Sequence, residues 1–151
     1  MPKVKNQPKE DSPLATFRKI LGVVEKPEKE MPTMVLRISE LSSDDLGNMI
    51  SRYSAWREFV EDKLIAASAE ATSLREKYQA KYNAVYMGVE GRTINDKKIL
   101  TESNADVEKL DKEATDAEIM RDLFSGKLDS LSNAISTLSR ELTRRGIISN
   151  S

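Results

Sequence analysis

Apolar residues recur along two long stretches of this chain at steps of three and four. The first runs Leu46, Met49/Ile50, Tyr53, Trp56, Val60, Leu64, Ala67, Ala71, Leu74, Tyr78, Tyr82 and Val85. Residues three and four apart share one face of an α-helix, so this spacing predicts an amphipathic helix from Asp44 to Met87. Leu41-Ser42-Ser43-Asp44-Asp45 precedes it, where a hydroxyl or carboxylate satisfies the free N–H groups and the positive end of a helix. Gly88-Val89-Glu90-Gly91 follows, and glycines there permit a left-handed stop.

The second stretch runs Val107, Leu110, Ala114, Ala117, Arg121, Phe124, Leu128, Leu131, Ile135, Leu138 and Leu142. Its strict three–four alternation is a coiled-coil seam with one polar break at Arg121. A helix from Ser103 to Arg145 is expected, capped by Ser103 or Asn104 and ended by Gly146 behind Arg144 and Arg145. Thr93 is placed to cap a short helix through Lys97-Lys98-Ile99-Leu100. Two long helices of nearly equal length with a short connection predict an all-α fold, a long antiparallel helical hairpin over residues 41–146 with a tail at 147–151.

Residues 1–40 follow a different pattern. All five prolines (2, 8, 13, 27 and 32) lie there, and residues 1–38 hold eight basic residues against five acidic. A disordered arm is expected. One apolar island interrupts it over 14–24, where Leu14, Phe17, Ile20 and Leu21 recur at helical spacing before Gly22. An isolated turn or two of helix does not hold itself together in water. The island therefore either docks on a partner or packs back on its own chain. Because the arm carries no seam residue, removing residues 1–38 is expected to leave helicity and self-association intact.

Two helices bury one stripe each, which is a thin core for so long a rod. Ile119, Met120 and Leu123 widen the apolar face of the second helix beside Phe124, and Met49, Phe59 and Ile65 do the same for the first. That extra area predicts a homo-oligomer, with an interface through Ile119, Met120, Leu123, Phe124 and Gly126. The mid-helix Gly126 reads as a close backbone approach between helices. The competing reading is a compact monomer whose arm covers these residues.

Composition narrows the chemistry. Of 151 residues, 38% are hydrophobic and 32% charged, against roughly 45–50% and about 25% in an average soluble domain. There is no Cys and no His, which removes thiol nucleophiles, Ser-His dyads and zinc sites of the Cys/His type. No Gly-rich phosphate loop and no isolated carboxylate pair is present. The expectation is a non-enzymatic protein with no metal and no cofactor. No apolar run is long enough to span a membrane, and a cytoplasmic protein is expected.

A net charge of −1 says nothing about nucleic acid, but its distribution does. Residues 71–98 hold six basic residues (Arg75, Lys77, Lys81, Arg92, Lys97, Lys98) and three acidic, with Tyr78, Tyr82 and Tyr86 interleaved. Aromatic rings stack on bases while cations hold phosphates, so this segment is a candidate single-strand platform. Against it, tyrosines at this spacing also suit one buried helix face. Residues 102–122 moreover hold eight acidic residues against three basic, and these could pair with Lys77 and Lys81 across the two helices. Arg140, Arg144 and Arg145 form a possible second basic cluster, which would also complement the negative end of a helix.

Several segments carry a resemblance. Tyr53-Ser54-Ala55-Trp56 opens a long charged helix ending in tyrosines and glycines. Lys98-Ile99-Leu100 is followed by Asp106-Val107-Glu108-Lys109-Leu110-Asp111, and then by the run from Ile119 to Asp129, IMRDLFSGKLD. In order and spacing, about residues 50–131 resemble the UvsY-type recombination mediators of tailed phages. Ser125-Gly126 inside a helix is the most specific feature, because Gly there costs ~1 kcal/mol relative to Ala. The resemblance implies an all-helical, ring-forming oligomer that binds single-stranded DNA and loads a RecA-like recombinase onto strands covered by single-strand-binding protein. It also implies a phage-encoded protein in the bacterial host cytoplasm. The family's basic positions near the end of the first helix fall around Gln79 and Lys81, of which Lys81 keeps the charge. The arm is outside the resemblance. Two other functions suit the same pattern: a structural or adaptor coiled coil of a phage without DNA affinity, and a host-takeover protein that docks through the 14–24 island.

Overall fold

The computed structural model describes residues 12–149. They form four α-helices: α1 (Pro13–Leu21), α2 (Ser43–Gly88), α3 (Ile94–Glu102) and α4 (Ala105–Ser149), with a turn of 3-10 helix at Ile38–Glu40. No strand occurs among the described residues. The expected all-helical class holds.

The caps explain where the helices begin. The Ser42 hydroxyl accepts from the Asp45 N–H at 3.0 Å, and Asp44 and Asp45 sit in the first turn of α2. Thr93 and Asp96 satisfy each other's backbone N–H groups at 3.0 and 3.1 Å, a reciprocal capping box that starts α3. Of the two expected caps for α4, Asn104 serves, its Oδ1 accepting from Asp106 and Val107.

The ends differ from expectation at three glycines. Gly146 does not stop α4, which continues to Ser149; Gly is permitted in a helix at modest cost. Gly88 and Gly91 use no left-handed conformation, since the one positive-φ glycine described is Gly22 (φ 79°), which closes α1. Gly91 is needed for another reason. A Cβ there would lie 2.7 Å from Lys97 Cγ and 2.9 Å from the Lys97 backbone nitrogen, so only Gly lets α3 fold this tightly against the turn. Gly126 is no close approach within the chain: nothing lies within 4 Å of where its Cβ would be.

Helices α2 and α4, 46 and 45 residues long, pack on each other with opposed numbering. Arg145 reaches the Leu41 carbonyl, Arg75 meets Asp111 and Glu118, and Lys81 meets Asp106. The seam residues bury as the spacing predicts, but unevenly. Leu46, Tyr53, Trp56, Val60, Leu131 and Leu138 form one core cluster, with Phe124, Leu128, Ile135 and Leu142 packed around it. A fully buried Leu contributes about 1.5–3 kcal/mol, so this half holds the chain together. Further along α2 the buried seam residues are Ala67 and Ala71, and on α4 Val107, Ala114 and Ala117. Small side chains let two helices approach closely but bury little area.

Part of the arm lies among the described residues. Residues 1–11 lie outside the described residues, and with them the expectation of disorder for that part. Residues 12–40 form α1, an extended stretch and the 3-10 turn, and they lie against the long helices. Arg18 pairs with Asp62 at 3.4 Å; that carboxylate is only 6% exposed, and a buried charge needs such a partner. Trp56 Nε1 donates to the Lys29 carbonyl at 3.0 Å and Arg52 to the Glu30 carbonyl at 2.9 Å. Met31 and Ile38 pack against the core cluster. The arm thus adds apolar contacts to the edge of the core cluster. Leu14 is half-buried, whereas Phe17, Ile20 and Leu21 are exposed.

Candidate nucleic-acid interface

Tyr78, Tyr82 and Tyr86 fall four residues apart on α2, so their rings project from one stripe. The rings form a column. Tyr78 and Tyr82 are 5.9 Å apart between centroids with a 49° tilt, and Tyr82 and Tyr86 are 6.2 Å apart and nearly parallel at 12°. These spacings lie in the range where aromatic pairs attract. A cation closes each end: the Arg75 guanidinium carbon lies 5.1 Å from the Tyr78 centroid, and Lys97 Nζ lies 4.9 Å from that of Tyr86. All three tyrosines are half-buried, neither a sealed core face nor a free ladder. Partial burial raises the Tyr78 hydroxyl pKa, and nearby Asp111 adds to it.

The six expected cations of residues 71–98 are spread over the second half of α2, the α2–α3 turn and α3, and their surroundings differ. Arg75 is bound on three sides by α4: its Nε and one Nη donate to Glu118, both at 2.8 Å, and the other Nη donates to Asp111 at 2.8 Å. Those hydrogen bonds raise the guanidinium pKa and lower that of Glu118. Lys81 stands 3.5 Å from Asp106, and Lys98 3.9 Å from Glu102 within α3. Lys97 covers Tyr86, aimed there by the tight turn at Gly91 and the Thr93 cap. Lys77 and Arg92 are exposed, with no ion pair among the described residues.

The second basic cluster lies at the other end of α4 and does not join this site. Arg144 and Arg145 both donate to Glu141, at 2.8–2.9 Å, and hold its carboxyl down to about 2. Arg145 also donates to the carbonyls of Leu41 (2.6 Å), Ser39 (3.1 Å) and Ile38 (3.2 Å). It ties down the chain that leads into α2. Of the three arginines only Arg140 is exposed with no ion pair among the described residues.

The column's two cationic ends and the triple engagement of Arg75 do not show in the sequence pattern. The Arg75–Tyr78 spacing of three was a signal for the first; the second depends on register between distant helices. No group of three or more acidic residues among those described is arranged to hold a metal ion. Among the described residues no helix is long and apolar enough to cross a membrane. No protein-family model matches the chain, and no curated protein or solved structure matches it.

Proposed function

We propose that the protein is a single-stranded-DNA-binding recombination mediator, a homo-oligomer without catalytic activity that loads a RecA-like recombinase onto strands covered by single-strand-binding protein. In this reading α2 and α4 act as an antiparallel coiled-coil hairpin, several copies form a ring, and the protein is phage-encoded and works in the host cytoplasm. The observation that carries it is the half-exposed Tyr78–Tyr82–Tyr86 column with a cation at each end. Bases stack on such rings with little sequence preference, at about 1–3 kcal/mol per base. Lys77 and Arg92, both exposed, supply phosphate contacts without first breaking an ion pair among the described residues. A ring repeats each weak site, so modest single-site affinity sums to tight binding.

The second reading is a structural or adaptor coiled coil of a phage. It is favoured by the pairing of Arg75 and Lys81 with α4 carboxylates, which gives those cations a role without DNA. Fluorescence anisotropy of a labelled oligonucleotide at two salt concentrations separates the two. Binding at low salt that weakens steeply with salt supports the mediator; no binding of the intact oligomer at low salt leaves the coiled coil.

A further inference from the structure

A cleft of about 560 Å³ opens between the arm and α4, beside the core cluster. That volume lies within the range of small-ligand sites, about 300–1,000 Å³. The arm is anchored on either side of it. Trp56 and Arg52 hold the carbonyls of Lys29 and Glu30, and Arg145 holds those of Ile38, Ser39 and Leu41. The stretch between these anchors lines the cleft through Met31 and Met34, and α4 lines it through Leu131 and Ala134.

Two polar groups of this cleft have no partner. Tyr53 of α2 lines it and is only 4% exposed. A buried phenol ordinarily finds a hydrogen bond, but the Tyr53 hydroxyl makes none among the described residues. The buried side-chain atoms left without a partner are Arg18 Nε and Arg52 Nε, so the Tyr53 oxygen meets open space, in the cleft that the residue lines. Burial raises its pKa, and it therefore meets a ligand as an O–H donor. The second group is Lys127. It is the one charged residue lining the cleft, and it is exposed, with no ion pair among the described residues.

One ammonium with no carboxylate in the lining selects an anion of a single charge. A phosphate group would leave charge unmatched there. A carboxylate carries one charge, and its two oxygens accept from an ammonium and a phenol O–H together. The apolar lining disfavours a small hydrophilic ion and favours a ligand with an apolar body, since burying that body releases its surface from water. The two methionines suit this role, because flexible thioethers fit themselves around apolar groups of varied shape.

We propose that this cleft binds an apolar monocarboxylate, whose carboxylate takes the Tyr53 O–H and the Lys127 ammonium while its apolar body lies against Met31, Met34, Leu131 and Ala134. The site is separate from the tyrosine column: Tyr53 stands 25 residues before Tyr78 on α2, about 37 Å along the helix. The ligand touches α2, α4 and the arm at once. Its binding therefore seats the arm more firmly and stabilises the folded chain by mass action.

Octanoate is the probe, titrated into the full-length protein at neutral pH below the concentration at which it forms micelles. The reporters are the methionine methyl groups, followed by NMR. Met31 and Met34 should shift along a saturable curve, while Met87 and Met120, exposed elsewhere on the chain, should not. Lys127→Met should weaken binding by about tenfold and Tyr53→Phe by about fivefold, as expected of one charged and one neutral hydrogen bond. Octanol, with the same body and no charge, should bind about tenfold more weakly than octanoate. Lys127 lies on the surface, so its variant keeps the test decisive even if Tyr53→Phe does not fold. A trileucine peptide with a free or an amidated C-terminus presents the other source of the same chemistry: tighter binding of its free acid than of octanoate assigns the site to a peptide end and supports the proposal. The proposal is overturned if neither acid gives a saturable shift at Met31 and Met34, if Met87 and Met120 shift equally, or if octanol binds as tightly as octanoate. It is overturned too if Lys127→Met, or a folded Tyr53→Phe, binds octanoate like wild type.

Discussion

Arg75 and Glu118 face each other as two parallel hydrogen bonds of 2.8 Å, one from Nε and one from a terminal nitrogen of the guanidinium. This fork-to-fork geometry is the strong form of an Arg–carboxylate pair, and it fixes the register of α4 against α2 where the core has thinned to alanines. Arg75→Ala should therefore cost stability, about 1–2 kcal/mol for partly exposed charge-assisted bonds. For a chain of this size that lowers the melting midpoint by very roughly 2–8 °C. Lys77→Ala should leave the midpoint unchanged. In DNA titrations the order reverses: Lys77→Ala with Arg92→Ala should lower the log–log salt slope by ~0.7 per lost phosphate contact. An Arg75 variant that keeps its melting midpoint would show that the register does not depend on the fork.

The tyrosine column gives a second test. Tyr82 stands between two rings, so Tyr82→Ala should lose at least one base-stacking surface and weaken single-strand binding by about 1–3 kcal/mol. Tyr82→Leu keeps the apolar area but not the π face, and should bind nearly as poorly while melting like wild type. If Tyr82→Leu binds single strands as tightly as wild type, the column is packing and not a platform.

Glu141 carries the pH dependence. Hydrogen bonds from Arg144 and then Arg145 hold its carboxyl at about 2, below its ordinary 4.5. A carboxyl depressed in the folded state contributes stability that is complete above 4.5 and is lost as pH falls through 2. Carbon-detected NMR should find the Glu141 carboxylate still ionised at pH 3. Glu141→Gln should lower the midpoint at pH 6 and leave it nearly unchanged at pH 2. An ordinary Glu141 titration near 4.5 would refute the clamp.

The sequence disclosed the helices because their burial is written in side chains. Leu46, Tyr53, Trp56 and Val60 facing Leu131 and Leu138 are spaced by the helix period, and Thr93 and Asn104 carry cap oxygens. The arm was hidden because it is held chiefly through its backbone. Trp56, Arg52 and Arg145 donate to the carbonyls of Lys29, Glu30, Ile38, Ser39 and Leu41, and every residue has a carbonyl. The candidate site was half visible for a related reason. The tyrosine spacing lies within α2, so it shows in the sequence. Which cations stay available depends on where α4 places Asp106, Asp111 and Glu118, a register that no local pattern states.

Those backbone contacts also shield the indole of Trp56. Trp56 is 9% exposed, its indole N–H donates to the Lys29 carbonyl, and Lys26 Nζ lies 5.9 Å from its ring. Deleting residues 2–37 removes the acceptor, the cation and Met31 together. The loss should exceed the sum of one hydrogen bond, about 1 kcal/mol, and one partly buried methionine, since the deletion also uncovers Tyr53 and Trp56. Trp56 is the only tryptophan, so its fluorescence reads the event directly: emission should shift to the red and acrylamide quenching should rise while α2 and α4 stay helical. Met31→Ala alone should give a smaller drop in melting midpoint with no red shift, because Lys29 still covers the indole. If the truncated chain keeps wild-type emission and melting, then Trp56 is shielded by the long helices alone, and the arm is an accessory to the fold and not part of it.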